Sequence, residues 1–440
     1  MKKGFIAAGV TTLALLLSGC VVKPEKQKLD KYTIMVYMCG ADLESGYDGY
    51  STNVGQAGLA SEDIYEMCTV YDQPDDVNII IETGGSKAWR NSKIKANKLG
   101  RWHVENRVLV EDEQLPSASM GSKQTFQDFL EWGLTKYPAE KTCVVLWNHG
   151  GAMQGVCYDE RYSDDSLLSS EVTAALKGAF EKTGRKEKLE WIGYDACLMQ
   201  VQDIAEANSD YFNYMVGSQE SEAGEGWCYY KWIDDVYANE PTEKILSEIC
   251  DSFVSSYKYH PNDQTLSWLD LSKIGAYKSA WEGLSSKIAS TVSESQKNIF
   301  QNMMKTVKTY GTTVYTKNDL IEAGLSTNPN SSNYYGNYGL VNEGGYYYDY
   351  GYNSFGIFDV KDFLDKLGAK YSSMTSEINA ARACFNDLVK YNVVGGEAGA
   401  SYGLCLYFPM SSRCSAERYY SAKETRLSSW RNVALTLGVK

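Results

Sequence analysis

Short apolar segments rich in β-branched residues recur along the chain, and most are nearly continuous rather than alternating with polar residues. Continuous apolar segments of this length are typical of strands buried on both faces. They lie at 33–39, 77–83, 142–147, 189–194, 214–218, 265–271 and 403–408. Amphipathic helical patterns occupy several of the intervals, at 124–136, 169–183 and 242–259. This alternation predicts an α/β fold with a mainly parallel sheet flanked by helices on both faces.

The C-terminal third has a different pattern. Helical periodicity dominates there, at 274–290, 295–307 and 376–391. The stretch 326–353 is crowded with Tyr, Gly and Asn and has no period, which predicts a long exposed insertion. We therefore predict a main α/β domain at 31–275 and a smaller, mostly helical lobe at 276–440, whose late strand at 403–408 returns to the main sheet.

The N-terminus has the pattern of an export signal. A positive start, Met1-Lys2-Lys3, precedes an apolar run at 5–17 that is too short for an ordinary membrane span. The run ends in Leu-Ser-Gly-Cys, which resembles the bacterial lipobox, and this predicts a signal peptide at 1–19, a lipid on Cys20 and a polar tether at 20–30. We expect an exported protein anchored by lipid at the bacterial cell surface. The alternative is a simple secretory signal in which Cys20 is incidental.

The charge of the chain bears on its partners. The formal net charge is −13, whereas nucleic-acid-binding proteins concentrate Lys and Arg to neutralise phosphates. We expect no nucleic-acid partner, an attraction for basic peptides or proteins, and a monomer. An acidic surface that merely keeps the protein soluble is the alternative.

The cysteines do not predict a disulfide framework. The chain has eleven cysteines. If Cys20 is lipidated and Cys197 is a reactive thiol, nine remain, and an odd number cannot all be paired. Cys39, Cys143 and Cys405 lie in apolar strand-like segments, where Cys is most often a small buried hydrophobe.

Two of the apolar segments end in reactive side chains, at Leu-Trp-Asn-His-Gly-Gly (146–151) and Ile-Gly-Tyr-Asp-Ala-Cys-Leu-Met (192–199). Neighbouring strand ends converge, so His149 and Cys197 are predicted to meet in space. The thiolate is the attacking form of Cys, and His149 is the best candidate for the base that generates it. The amides of Gly150 and Cys197 are candidate donors to an oxyanion.

Each of these residues also has an ordinary structural interpretation. His149 could be a satisfied histidine in a turn, and Cys197 could be an inert core thiol. Two strand ends that carry complementary groups favour the catalytic interpretation.

Asp195 lies two residues before Cys197. In an extended segment, side chains at i and i+2 share a face and stand roughly 6–7 Å apart. Asp195 is therefore a candidate for binding a Lys or Arg side chain of a substrate. The alternative is that Asp195 caps the following helix.

Four segments in this order resemble the clostripain-type (family C11) cysteine peptidases of the caspase-like clan. They are the opening strand at 33–38 with Gly-Ala-Asp-Leu-Glu at 40–44, the His-Gly-Gly block, the Asp-Ala-Cys block, and Gly-Ser-Gln-Glu at 217–220 leading to Gly-Glu-Gly-Trp at 224–227. The resemblance covers 31–275 well and the C-terminal region loosely. An ordered set of this kind is more specific than a lone His-Gly pair.

The resemblance implies a caspase-like fold and a cysteine endopeptidase that cleaves after Arg or Lys through a thioester acyl-enzyme. It implies a His149/Cys197 dyad without an obligatory third member, and a role for Asp195 in facing the basic substrate side chain. It also places the loop 218–228 at the cleft, with Trp227 and Glu220 as candidate substrate-binding residues. Alternatively, Glu220, Glu222 and Glu225 are solvated loop charges.

Several members of that family also cleave themselves after the catalytic His. The polar segment 158–165 contains a single basic residue, Arg161, which is the candidate autocleavage site.

No cofactor is expected to be required. Some members of the family depend on calcium, and acidic clusters occur at 159–165 and 72–76. Neither cluster has the spacing of a recognised calcium loop, and no zinc pattern of Cys and His is apparent.

A second hypothesis comes from another functional class. The chain could be a catalytically degenerate caspase-like lipoprotein that acts as a binding module, with the insertion at 326–353 as its recognition surface. The presence of both His149 and Cys197 favours the peptidase.

Overall fold

The structure is a computed structural model of the chain. It describes residues 29–46, 58–256, 263–311, 314–315, 317–322, 324–338, 341–343, 346–348, 355–396, 398–410 and 428–438. The predicted signal peptide and Cys20 lie outside the described residues.

The strands of the described residues form one large sheet and three small ones. They are β1 (Asp30–Cys39), β2 (Val77–Gly84), β3 (Lys98–Glu105), β4 (Val108–Pro116), β5 (Ala139–Trp147), β6 (Val156–Asp159), β7 (Asp165–Leu167), β8 (Leu189–Asp195), β9 (Phe212–Gly217), β10 (Thr265–Asp270), β11 (Val314–Tyr315), β12 (Val341–Glu343), β13 (Tyr346–Tyr348), β14 (Ile357–Asp359), β15 (Val389–Val394) and β16 (Cys405–Tyr407).

The helices alternate with these strands in the first part of the chain and dominate the last part. They are α1 (Ala41–Ser45), α2 (Leu59–Thr69), α3 (Lys123–Lys136), α4 (Ser169–Thr183), α5 (Gln202–Asn208), α6 (Tyr229–Tyr237), α7 (Thr242–Ser256), α8 (Ile274–Thr291), α9 (Lys297–Met304), α10 (Lys317–Glu322), α11 (Val360–Lys370), α12 (Thr375–Leu388) and α13 (Ser428–Leu437). None of these described helices is long and apolar enough to cross a membrane.

The large sheet has nine strands in the order β15-β10-β9-β8-β5-β1-β2-β3-β4. Its centre, β9-β8-β5-β1-β2, is parallel, and antiparallel strands extend it at both edges. The α/β fold predicted from the alternation of strands and helices is confirmed.

Both faces of the sheet are covered, which explains the continuous apolar segments. On β1, Met35 and Tyr37 belong to one hydrophobic cluster, whereas Ile34 and Val36 belong to a second cluster on the opposite face. The first cluster includes residues of α3, α4 and α5, and the second includes residues of α2, α6 and α7. Successive side chains of a strand point to opposite faces, so a strand between two helical layers is apolar throughout.

The C-terminal helices pack against the sheet rather than around a separate core. Residues of α8, α9, α11, α12 and α13 belong to the same hydrophobic cluster as Met35 and Tyr37. The strand predicted at 403–408 forms as β16, but it pairs with β14 and not with the large sheet. The strand that joins the large sheet is β15, which pairs with β10.

The Tyr/Gly/Asn-rich insertion contains more regular structure than its sequence predicts. Two of its segments, β12 and β13, pair with each other, and β11 completes a three-stranded sheet. Short strands with few partners carry little periodicity, which is why the sequence pattern did not indicate them.

Candidate active site

His149 and Cys197 follow two adjacent parallel strands. The last residue of β5, Trp147, is aligned with the last residue of β8, Asp195. Each candidate residue lies two positions beyond that aligned pair. The amide of Asn148 also donates to the carbonyl of Asp195 at 3.3 Å, so the two chain segments leave the sheet side by side.

Gly150 brings the loop after His149 into direct contact with the backbone of Cys197. A Cβ atom at Gly150 would lie 2.1 Å from the carbonyl oxygen of Cys197 and 3.0 Å from Cγ of Met199. No side chain fits in that space. Glycine is therefore required here by close approach of two backbones.

The thiol of Cys197 is half-buried and is held by the loop after β9. Its Sγ accepts a hydrogen bond from the amide of Glu222 at 3.2 Å. Burial raises the pKa of this thiol to about 11, and the charges of Glu222 and Glu220 contribute in the same direction. In this state the sulfur is protonated at neutral pH, so nucleophilic attack requires a base.

His149 is more open to solvent and has a carboxylate partner. Its side chain is 41% exposed, and Nε2 lies 2.8 Å from Oδ1 of Asp42. The pKa of Asp42 is lowered because, although burial acts to raise it, the hydrogen bond and charge of His149 outweigh burial. In the sequence, Asp42 is one acidic residue of the Gly-Ala-Asp-Leu-Glu segment, and nothing in that segment predicts its contact with His149.

Asp195, two residues before Cys197, is buried. Its Oδ2 accepts hydrogen bonds from the hydroxyl of Tyr229 at 2.9 Å and from the amide of Trp227 at 3.3 Å. Burial raises its pKa to about 7 despite these bonds. The alternative role as the cap of a following helix is not observed, because the next helix is α5 and its N-cap is Val201.

Two further carboxyl groups converge on Asp195, and we call Asp63, Asp195 and Glu222 the acidic cluster. A Cβ atom at Gly226 would lie 3.1 Å from both carboxylate oxygens of Asp195 and from Oδ2 of Asp63. Burial and the charge of Asp195 raise the pKa values of Asp63 and Glu222 well above their ordinary values. Like charges held together away from water favour protonation or the binding of a cation.

No sequence pattern predicts this cluster. Asp63 lies in α2 among other acidic residues, and nothing in the sequence distinguishes it from them. Glu222 lies in the same loop as Glu220 and Glu225, and spacing alone could not distinguish them. Glu222 differs in the structure because both of its carboxylate oxygens are shielded from solvent.

The other two predicted substrate-binding residues lie in packed positions. Trp227 is 1% exposed, and its ring lies against Gly193 of β8. The carboxylate of Glu220 accepts hydrogen bonds from the amides of Ser221 at 2.8 Å and Gly311 at 2.9 Å. Both residues therefore shape the loop from within, and neither presents an open surface.

Arg161 is exposed near the tip of the β6–β7 hairpin. The buried carboxylate of Asp159 holds the base of this tip, since it accepts hydrogen bonds from the amides of Arg161 at 2.9 Å and Met120 at 2.8 Å. Ser163 and Asp164 have left-handed backbone angles, with φ of 58° and 56°. The bond after Arg161 is thus in a tight, solvent-exposed turn.

Within the described part of the chain, no group of three or more His, Cys, Asp or Glu residues is arranged to hold a metal ion. Each of the nine cysteines in this part has a free thiol.

Comparison with known proteins gives a family match over most of the chain. The model of the clostripain family, peptidase C11, matches residues 47–427. Clostripain of Hathewaya histolytica is 23% identical over 477 aligned positions, which cover 93% of this chain and 81% of that protein.

Solved structures match in fold at low sequence identity. An inactive zymogen of a C11 protease from Parabacteroides distasonis has a TM-score of 0.60 and 16% identity, covering 92% of this chain and 98% of the other. A secreted C11 cysteine protease from Bacteroides thetaiotaomicron, in complex with an irreversible peptide inhibitor, has a TM-score of 0.58 and 14% identity, covering 92% and 99%. These matches confirm the predicted caspase-like fold.

Proposed function

The chain belongs to the clostripain family of cysteine proteases, and on that premise we propose that it is an endopeptidase that cleaves after Arg or Lys, with Cys197 as nucleophile and His149 as base. The observation that carries this proposal is the hydrogen bond to the Cys197 thiol from the amide of Glu222, a member of the acidic cluster. This contact lies at the end of the strand next to the one that leads to His149. A binding lipoprotein has no need of this combination.

The reaction begins with a neutral thiol. His149 accepts the proton of Cys197, and the sulfur attacks the carbonyl carbon of the scissile bond. The amides of Gly150 and Cys197 stabilise the oxyanion of the tetrahedral intermediate. His149 then donates its proton to the leaving amine, which leaves a thioester. Water attacks the thioester with His149 again as base, releasing the acid and restoring the thiol.

Specificity for a basic residue follows from the acidic cluster. Asp195 is held in place by Tyr229 and Trp227, so its carboxylate is preorganised to bind an ammonium or guanidinium group. Glu222 connects specificity to chemistry because its side chain belongs to the cluster while its amide binds the reactive sulfur. A bound cation supplies the counter-charge that these buried carboxyl groups lack.

The test uses peptide reporters that differ only in the residue before the cleaved bond: Arg, Lys, norleucine and Glu. We expect turnover of the Arg and Lys reporters, which Cys197→Ala and His149→Ala each reduce by at least about a thousandfold. A Cys197→Ala variant that retains turnover would disprove the nucleophile, and equal turnover of the norleucine reporter would disprove the specificity.

We also propose that Arg161 is an autocleavage site. Its exposed turn is accessible to a protease cleft, and its side chain fits the proposed specificity. Two fragments should form from the active chain, but not from Arg161→Ala or from Cys197→Ala. Two fragments from purified Cys197→Ala would point to another protease.

Localisation rests on the N-terminal pattern. We propose that the protein is exported and anchored by lipid on Cys20, and a relative of the same family is described as secreted. Membrane fractionation with Cys20→Ser as the comparison tests the anchor: release of this variant into the soluble fraction is expected, and continued membrane retention would exclude it.

We propose a monomer that needs no cofactor. Light scattering of the purified protein tests the first point. Turnover measured before and after chelation of divalent cations tests the second, and a loss that calcium restores would establish dependence on calcium.

A further inference from the structure

The contacts of Asp42 suggest that it takes part in the reaction together with His149 and Cys197. Its Oδ1 lies 2.8 Å from Nε2 of His149, and both side chains are partly open to solvent, at 35% and 41% exposure. When one ring nitrogen of an imidazole is hydrogen-bonded to a carboxylate, the other ring nitrogen is available as a base.

Several contacts fix the segment that carries Asp42. Ala41 has a left-handed backbone, with φ of 44°, and its carbonyl accepts a hydrogen bond from the hydroxyl of Ser86 at 2.8 Å. The buried carboxylate of Glu44 accepts hydrogen bonds from the amides of Ser61 at 2.9 Å and Arg90 at 2.6 Å. Left-handed non-glycine residues persist only where surrounding contacts hold them.

The segment is also tied to the loop that carries His149. The side-chain amide of Asn148 donates to the carbonyl of Cys39 at 2.7 Å, and its oxygen accepts from the amide of Tyr158 at 2.7 Å. Asn148 is buried and directly precedes His149. The segment of Asp42 and the loop of His149 are therefore joined by hydrogen bonds of a buried side chain, in addition to the contact between Asp42 and His149 themselves.

We propose that Asp42 is a positioning residue, which accepts a hydrogen bond from Nε2–H of His149 and thereby directs Nδ1 of the imidazole toward Cys197. This inference rests on the proposed function, because it assumes that His149 is the base. Asp42 keeps the imidazole in one tautomer before the reaction. It then stabilises the imidazolium that forms when His149 takes the thiol proton.

Other titratable groups lie near this pair. Asp159, Glu160 and Cys157 lie with Asp42 around the buried thiol of Cys39, and Cys197 lies on the adjacent loop. Glu160 is already paired with Lys87 at 3.2 Å. Asp42 is the carboxylate in hydrogen-bond contact with His149, so its removal should have an effect that the others cannot replace.

The experiment compares Asp42→Asn and Asp42→Ala with the unaltered chain on an Arg reporter. We expect kcat to fall roughly 10- to 100-fold while KM changes less than about twofold. Formate should restore part of the activity of Asp42→Ala, since the site is partly open to solvent.

The matched control is Asp76→Asn, which removes one carboxylate paired with Lys31 beside the opposite end of β1. This variant should keep both kcat and KM. A kcat within twofold of the unaltered chain for Asp42→Asn would overturn the proposal, and so would a loss in Asp42→Ala that formate does not rescue. His149→Ala and Cys197→Ala are measured in parallel. If either variant stays active, the proposed function fails. If both are inactive and Asp42→Asn is unaffected, only the role of Asp42 is refuted.

Discussion

Two aspartates at the carboxyl ends of the parallel strands, Asp195 at the end of β8 and Asp42 after β1, have opposite electrostatic environments. Asp195 is buried among other carboxyl groups, and burial raises its pKa to about 7. Asp42 is half-buried and contacts His149, and its pKa is lowered. Within the described residues, the aspartate side chain therefore has no cation beside it at Asp195, whereas at Asp42 it has His149 as its partner.

The difference separates two tasks. A carboxylate that already has a partner orients that partner, whereas buried carboxyl groups without a cation are prepared to bind one from outside the protein. In the proposed function, the carboxyl groups near Cys197 recognise a basic substrate, and Asp42 with His149 serves proton transfer. The following changes should separate these tasks.

Removing the charge of the carboxyl groups near Cys197 should have the largest effect. The double variant Asp195→Asn/Glu222→Gln should reduce the preference for an Arg over a norleucine reporter by roughly 100- to 1000-fold, because two charge-assisted interactions with the substrate are lost. The measurement is the ratio of kcat/KM for the two reporters. Glu225→Gln, an exposed charge in the same loop, is the control, and an equal loss there would contradict the assignment.

Moving the loop of His149 away from the loop of Cys197 should reduce the turnover of every substrate alike. Gly150→Ala forces a Cβ into the carbonyl of Cys197, and a misplacement of this kind should lower kcat by roughly 100-fold. Gly283→Ala is the control, because a Cβ there meets no atom within 4 Å. Unchanged kcat in Gly150→Ala would indicate that the two loops do not need this close contact.

The pH dependence of binding should differ for charged and neutral ligands. Asp195 has a raised pKa of about 7 in the free protein, and a bound cation favours its ionised form. Affinity for a reversible lysine-based inhibitor should be fully developed above that pH and fall by up to roughly tenfold per pH unit below it. The norleucine analogue should show no such loss, and parallel curves for the two inhibitors would refute the assignment.

The smallest expected effect concerns Glu220. Its carboxylate binds the amides of Ser221 and Gly311, so Glu220→Ala should lower the free energy of unfolding by about 1–3 kcal/mol and leave the preference for Arg unchanged. Denaturant unfolding and the reporter ratio provide the two measurements, with Glu225→Ala as the control. A changed preference without loss of stability would instead support a direct contact with substrate.

The sequence was most informative where one periodic pattern covered many residues. Strands such as β1, β5 and β8 are continuous apolar segments because both faces are buried, and this requirement is visible in the residues themselves. The positions of His149 and Cys197 at neighbouring strand ends followed from the same pattern. The sequence pattern was less reliable at 376–391, where it predicted one helix. The helix stops at Leu388 and β15 begins at Val389, because pairing with β10 overrides the local helical preference.

By itself, the sequence determined the α/β architecture and the placement of His149 and Cys197 after neighbouring strands of one sheet, because burial and strand order act through many side chains at once. Only the tertiary structure decided which carboxylates matter. Asp42, Asp63 and Glu222 are ordinary acidic residues in the sequence. Their properties come from neighbours contributed by distant segments, and the local environment rather than residue type sets whether a carboxyl group orients a base, binds a cation or remains in solvent.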